Sequence, residues 1–234
     1  MLALIDADIV CYRIGFASQD VNEKICIART AEFMEELVMK PWVGDYQGYL
    51  TGSNNFRKDI AVTAPYKGNR TAEKPIHYNL IREYLIKAWG CELVEEQEAD
   101  DAIGIKAYSY EDTEDYVVMS IDKDLDMIHG WHYNFIKDNK YFIDDQQAIK
   151  HFYTQILTGD RVDNIIGLKG IGPKKAEKIL EDCTTEQEMY DAVLKAYDND
   201  EKRVLENGQL LWIRRKENQI WSPALFNTSS GLTQ

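Results

Sequence analysis

The hydrophobic pattern starts at once: Leu2-Ala3-Leu4-Ile5 is a short unbroken apolar run that stops at Asp6, which reads as a buried first strand. Thr30 to Met39 changes to helical spacing, with Phe33, Leu37 and Val38 on one face. Residues 46–51 (YQGYLT) read as a second strand. From Ser53 to Pro75 the chain is polar, basic and aperiodic, as expected of a mobile loop or arch. Pro75 suits the start of the next helix, with Ile76, Leu80, Tyr84 and Leu85 as its buried stripe and Gly90 as its stop. A further helix begins within 98–108 (EADDAIGIKAY), its acids favoured at the positive N-terminal end. Residues 116–121 (YVVMSI) then form a buried strand that runs into Asp122. Strands alternating with helices imply an α/β fold, a parallel sheet under right-handed crossovers. After about residue 146 strand signals fade and the pattern is mainly helical. The stretch from Ser222 to Gln234 reads as a loose tail whose start Trp221 and Phe226 anchor.

Composition adds limits. At 234 residues, 44% hydrophobic and 29% charged, the chain is long enough for a sizeable core and is neither disordered nor fibrous. No stretch approaches the roughly 20 apolar residues of a membrane span, and MLALIDADIV has acids where a signal peptide needs a basic and then apolar run. The expectation is a soluble, cytoplasmic protein without membrane partners. Cys11, Cys26, Cys91 and Cys183 are scattered, without a C-x-x-C pair, as reduced thiols would be. The net charge of −13 argues against a polyanionic partner until its distribution is considered. Positive residues are bunched at Arg57, Lys58, Lys67, Arg70 and Lys74 and again at Lys169, Lys174, Lys175 and Lys178. Local field, not net charge, steers a polyanion.

The acids carry the candidate chemistry. Asp6 follows the first strand, Asp122 and Asp124 follow a later one in SIDKDLD, Glu98, Asp100 and Asp101 open a helix, and Asp160 and Asp163 lie in TGDRVDN. The carboxyl ends of parallel strands share one edge, where sites form. Up to eight carboxylates drawn together there repel one another unless cations neutralise them. Hard oxygen ligands select magnesium or manganese, and two such ions suit phosphodiester hydrolysis. Asp8, Asp126, Asp144 and Asp145 have no motif context and read as surface acids.

Two basic segments complete the pattern. In FRK (Phe56 to Lys58) and YKGNR (Tyr66 to Arg70), cations suit a phosphate backbone, with Phe56 or Tyr66 available to stack on bases. In IIGLKGIGPKKAEKIL (165–180), Gly167, Gly170 and Gly172 separate apolar residues from a helix start carrying Lys174 and Lys175. This is the helix-hairpin-helix pattern, which holds duplex backbone without reading sequence.

Taken in order, Asp6, FRK, YKGNR, EADD, SIDKD and GDRVDNIIGLKGIGPKKA resemble the flap endonuclease / 5′–3′ exonuclease family, most of all its short podovirus-type bacteriophage members. The resemblance implies a PIN-like nuclease core over 1–150, including an arch at 53–75, and a helical DNA-clamp lobe over 151–234 with its hairpin at 165–180. It implies two Mg2+ ions, replaceable by Mn2+, on Asp6, Glu98, Asp100, Asp101, Asp122, Asp124, Asp160 and Asp163. Lys67 and Arg70 would contact the scissile phosphate. Arg57, Lys58 and the hairpin residues Gly167, Lys169, Gly170, Gly172, Lys174 and Lys175 would bind DNA, with a K+ ion in the hairpin. The implied partners are DNA with 5′ ends or flaps and RNA–DNA hybrid, acted on by a monomer in phage replication or recombination, in the host cytoplasm.

One departure stands out. The family usually has an acid after the second strand, and here Gly52 or Ser53 occupies that place, with Asp8 as a nearby candidate to compensate. That gap motivates an alternative, a DNA-structure-binding protein of the same fold with weak or no catalysis. A PIN-type ribonuclease would share the acids but would not need the GLKGIGP hairpin.

Overall fold

In the computed structural model, which describes residues 1–223, six strands form one sheet in the order β3-β2-β1-β4-β5-β6. They are β1 Leu2–Asp6, β2 Asp45–Thr51, β3 Glu92–Val94, β4 Tyr116–Met119, β5 Gly130–Asn134 and β6 Asn139–Ile143. All neighbouring pairs are parallel except β5 with β6. The helices between them are α1 Ala7–Ala17, α2 Glu23–Val38, α3 Arg57–Ile60, α4 Tyr78–Trp89 and α5 Ala99–Ala107. The chain continues through α6 Asp145–Thr158, the short strands β7 Gly159–Asp160 and β8 Ile165–Ile166, α7 Pro173–Ile179, α8 Glu186–Ala196 and α9 Glu201–Leu211. No described helix is long and apolar enough to cross a membrane.

The chain divides into two compact units: 1–55, 72–143 and 215–217 in the first, and 56–71, 144–214 and 218 onward in the second. This differs from a break near residue 150. The basic segment 56–71, expected with the nuclease core, belongs to the second unit because its hydrogen bonds run to residues 161–164 and 203–212.

In the first unit β1 lies between β2 and β4, and its side chains alternate across the sheet. Ala3, Ile5, Val117 and Met119 join Val10, Ile14, Met34, Leu37, Ile81 and Leu85 from α1, α2 and α4 in one buried cluster. Helix α5 packs on β1 and β2 with Ala99, Ala102 and Ile103 buried. A strand covered on both faces needs apolar residues at every position, which is why these strands read as unbroken runs. Helix α4 begins three residues later than Pro75 suggests, so its buried stripe is Tyr78, Ile81 and Leu85, and Ile76 is exposed. Gly90 ends it in the left-handed conformation, φ 64°.

In the second unit α6 packs on α7, α8 and α9 around Phe152, Tyr153, Ile156, Leu157, Met189, Val193 and Val204. Trp221 is buried against Phe152 and Tyr153 and fixes the start of the tail, while Phe226 lies outside the described residues.

Candidate active site

Asp6 ends the central strand, and its side chain accepts from two neighbours. One oxygen accepts from Ile9 N at 3.3 Å, capping α1, and the other accepts from Ser120 Oγ at 2.9 Å. Ser120 in turn accepts from Asp122 N at 3.0 Å, so the loop after β4 is tied to Asp6 through one hydroxyl. Asp122 then receives the backbone N–H of Asp124 at 3.0 Å. Asp6 is 3% exposed, and burial, with Asp8 and Asp122 adding to it, pushes its carboxyl up to about 7 against the pull of Ser120 and Ile9. A cation beside it would restore the ionised form.

Asp8 is not a surface acid. It accepts from Thr51 N at 2.9 Å and from the Arg82 guanidinium at 3.1 Å, while Arg82 also donates to Thr51 O at 2.8 Å. Burial, with Glu98 adding to it, raises the Asp8 carboxyl above its ordinary value against Thr51 and Arg82. One carboxylate from α1 therefore sits at the carboxyl end of β2. Of the two positions, Gly52 and Ser53, at which the resemblance leads one to expect an acid, Gly52 donates to Val94 O at 2.7 Å, and a Cβ there would stand 2.4 Å from that same oxygen. No side chain fits without a backbone shift. Ser53 instead gives its N–H and hydroxyl to Glu95, each at 3.1 Å. Asp8 and Glu95 thus bracket the gap.

Helix α5 brings in the other acids. Thr51 Oγ1 accepts from Ala99 N at 3.0 Å, which ties the helix start to the end of β2. Glu98 is the N-cap and Asp101 closes a capping box by accepting from Glu98 N at 3.1 Å. Asp101 is fully buried and Asp100 half-buried. Among the described residues no three carboxylates, imidazoles or thiols form a ready-made ion cage. Many of their oxygens are engaged by these caps and hydroxyls. In donor type the predicted set suits a hard divalent cation, since it is all carboxylate and includes the buried Asp6.

The second unit holds Asp160, Asp163, Lys67 and Arg70. Asp163 is surrounded by donors: Arg70 at 2.6 Å, the Tyr66 hydroxyl at 2.7 Å and Lys67 Nζ at 3.5 Å. The Asp163 carbonyl accepts from Lys67 N at 2.8 Å, Asn164 donates to Pro65 O at 2.9 Å, and Asn69 donates to Arg161 O at 2.6 Å. Asp160 accepts from Val162 N at 2.7 Å.

Three expectations about the DNA surface change. Arg57 is 3% exposed: its guanidinium donates to Leu210 O at 2.8 Å and Trp212 O at 2.7 Å, so it fastens the segment to the C-terminal end of α9. Carbonyls at a helix end attract a cation, and the buried charge is unavailable to a phosphate. Tyr66 is buried with its hydroxyl on Asp163, and Phe56 is covered by the Arg57 and Arg214 guanidiniums, which removes both as stacking platforms. Gly167 is a packing glycine, since a Cβ there would meet Thr158 and Gly159 backbone within 2.2–2.3 Å. By contrast Lys58, Lys169, Gly170, Gly172, Lys174 and Lys175 are exposed. Gly170 turns at φ 79° with open space around it, and its carbonyl accepts from Lys175 Nζ at 2.8 Å. An open groove of about 630 Å³ beside it is lined by Leu168, Ile171, Ile179 and Ala192, which explains the apolar residues that flank the hairpin.

Thr51, Ser120 and Arg82 were not singled out by sequence pattern, and Asp8 entered only as a candidate to compensate for the missing acid. A D-x-D at the end of a buried strand was the available signal for Asp8.

No family model matches the chain. In sequence it is 36% identical over 145 residues to DNA polymerase I of Rhizobium leguminosarum, covering 56% of this chain and 14% of that protein. It is 26% identical over 218 residues to DNA polymerase I of Caldicellulosiruptor bescii, covering 81% and 25%. The chain therefore spans a quarter or less of the length of these relatives. In structure it superposes on the D15 protein of T5 co-crystallised with metal ions, with TM-score 0.67 and 17% identity over 90% of this chain and 88% of that one. The T5 5′-exonuclease with zinc bound gives TM-score 0.64 and 19% identity over 90% and 88%. The catalytic core of Rad2 in complex with DNA gives 0.54 and 15% over 94% and 80%. In fold the chain is similar to the T5 D15 protein, the T5 5′-exonuclease and the Rad2 catalytic core.

Proposed function

We propose that the protein is a divalent-metal-dependent 5′–3′ exonuclease and flap endonuclease that hydrolyses phosphodiesters at 5′ ends of DNA, and of RNA primers in RNA–DNA hybrid. The observation that carries this reading is Asp6, a buried carboxyl at the end of the central strand whose pKa rises to about 7 beside Asp8 and Asp122. Such a group calls for a cation. The T5 D15 protein was crystallised with metal ions and the Rad2 core with DNA, which supports extending both to this chain.

Asp6, Glu98, Asp100, Asp101, Asp122 and Asp124 of the first unit would hold Mg2+, with Asp8 beside them, and by motif alone Asp160 and Asp163 would carry the same role in a site of two ions. Bound magnesium supplies activation of the attacking water and charge stabilisation at the leaving oxygen. The chain's own residues do the rest. Ser120 orients Asp6, and the Glu98–Asp101 capping box fixes the start of α5. Lys67 and Arg70 offset charge on the phosphate undergoing cleavage. Gly170, Gly172, Lys169, Lys174 and Lys175 hold duplex backbone at the start of α7, where K+ would bind the hairpin carbonyls. A monomer acting in phage replication or recombination fits this assignment.

The test is cleavage of 5′-labelled flap DNA with magnesium and with EDTA. Magnesium-dependent 5′ products are expected, and their absence while a control nuclease works overturns the reading. Because Gly52 or Ser53 stands where the resemblance leads one to expect an acid, tight flap binding with no product would favour a DNA-structure-binding protein instead. Cleavage of single-stranded RNA alone would identify a ribonuclease.

A further inference from the structure

We infer that Asp163 is the positioning residue and counter-ion of the 65–70 turn, holding Lys67 and Arg70 in the geometry in which a DNA phosphate later takes its place. This rests on the nuclease reading above, and gives Asp163 a role beside the metal-ligand one its motif suggests.

One short segment meets the turn at several points. Residues 161–164 receive or give the Lys67 N–H, the Asn69 amide, the Arg70 guanidinium and the Tyr66 hydroxyl, and Asn164 reaches back to Pro65 O. Lys67 itself sits at φ 55°, a left-handed conformation that residues with a side chain rarely adopt. The surrounding bonds, first among them Lys67 N to Asp163 O at 2.8 Å, hold it there. The carboxylate then gathers the two side chains: Arg70 on one oxygen at 2.6 Å, Lys67 at 3.5 Å and the Tyr66 hydroxyl at 2.7 Å on the other.

That donor set is the set a phosphate would use. A carboxylate and a phosphate offer similar oxygens to a guanidinium and an ammonium, and the pairs are interchangeable in geometry. The Asp163 side chain is 14% exposed, whereas Arg70 is 47% exposed, so the guanidinium is open to solvent while its partner is not. A phosphate arriving at Arg70 and Lys67 competes with Asp163 for them. Asp163 thus lowers resting affinity for backbone phosphate and raises the precision with which the two cations meet it.

The experiment measures binding of 5′-flap DNA in EDTA, across a salt series, so that no metal contributes. Asp163→Asn keeps the shape and the Tyr66 hydrogen bond but removes the charge. It should bind flap DNA on the order of threefold to tenfold tighter than wild type, with a salt slope steeper by about 0.9 for one added phosphate contact. The gain should vanish in a Lys67→Ala/Arg70→Ala background. An equal gain in both backgrounds, or none in either, overturns the inference. Asp163→Glu keeps the charge and displaces it by one methylene, so it should bind like wild type in EDTA yet turn over more slowly with magnesium. Wild-type turnover in Asp163→Glu also overturns it, and this arm decides if Asp163→Asn melts before the assay temperature. If wild type neither binds flap DNA nor cleaves it, the nuclease reading has failed and not merely the role of Asp163.

Discussion

The two units treat their acids in opposite ways. In the first, Asp6 is buried with Asp8 and Asp122 as like-charged neighbours, and its carboxyl is pushed upward. In the second, Asp163 is met by a guanidinium at 2.6 Å and an ammonium at 3.5 Å within the same unit. Asp6 is held by hydroxyl and backbone donors with acids as its charged neighbours, whereas Asp163 is held by a guanidinium and an ammonium. The difference teaches that a motif rich in aspartate is not one kind of site: the neighbours decide whether each acid waits for a cation or organises one.

The comparison breaks most easily at the first unit. Asp122→Asn or Asp124→Asn should reduce magnesium-dependent flap cleavage by at least ~100-fold while leaving flap binding in EDTA mostly intact. Wild-type rates in either variant would remove the metal assignment. Next, Lys67→Ala should lower turnover by about 100-fold, more than it weakens binding, when kcat and KM are measured separately. A loss confined to binding would make the second unit a passive grip. Asp8→Asn should cost about 10-fold or more in activity and raise the magnesium concentration for half-maximal rate. An unchanged magnesium titration would return Asp8 to a purely structural partner of Arg82.

The smaller effects sharpen the division between packing and chemistry. Arg57→Ala should destabilise the fold by about 2–4 kcal/mol through two lost charge-assisted hydrogen bonds, read as a fall in melting temperature. Its affinity for flap DNA in EDTA should hardly change, and a large drop would restore the DNA-contact role. Last, Glu188 accepts from Thr184 and Thr185 backbone and hydroxyls at the start of α8, which lowers its carboxyl to about 2 from an ordinary 4.5. Its stabilisation is complete above pH 4.5 and is lost as pH falls toward 2. Melting temperatures of wild type and Glu188→Gln should therefore converge across that window, and parallel curves would contradict it.

Much of the first unit was readable in the chain itself. Strands β1 and β4 showed as apolar runs because burial on both faces leaves few polar positions, while β2, DYQGYLT, keeps polar residues outside its buried Gly48, Tyr49 and Leu50. Strands β5 and β6 were missed, since GWHYN and NKYFI mix polar and aromatic residues as an antiparallel edge pair does. The stripe of α4 slipped because Pro75 marks the approach to the helix and not its first turn. Asp8 was read as a surface acid because what buries it, Thr51 and Arg82, lies 43 and 74 residues away. Arg57 was misjudged for the same reason: a sequence displays the charge but not the carbonyls at 210 and 212 that receive it. Lys67, Arg70 and the hairpin lysines were assigned by motif, and what the motif did not display is that the Asp163 carboxylate pairs with the first two.

The partition of the chain carries a practical consequence. The backbone passes from one unit to the other at 55–56, 71–72, 143–144, 214–215 and 217–218. Neither unit is a continuous stretch that a single cut could liberate. A fragment ending at Ile143 would strand residues 56–71 without the segments at 161–164 and 203–212 that clasp them, and one beginning at Asp144 would leave those segments with nothing to clasp. Dissection by truncation is closed to this molecule, so its halves have to be compared by point substitution in the intact chain.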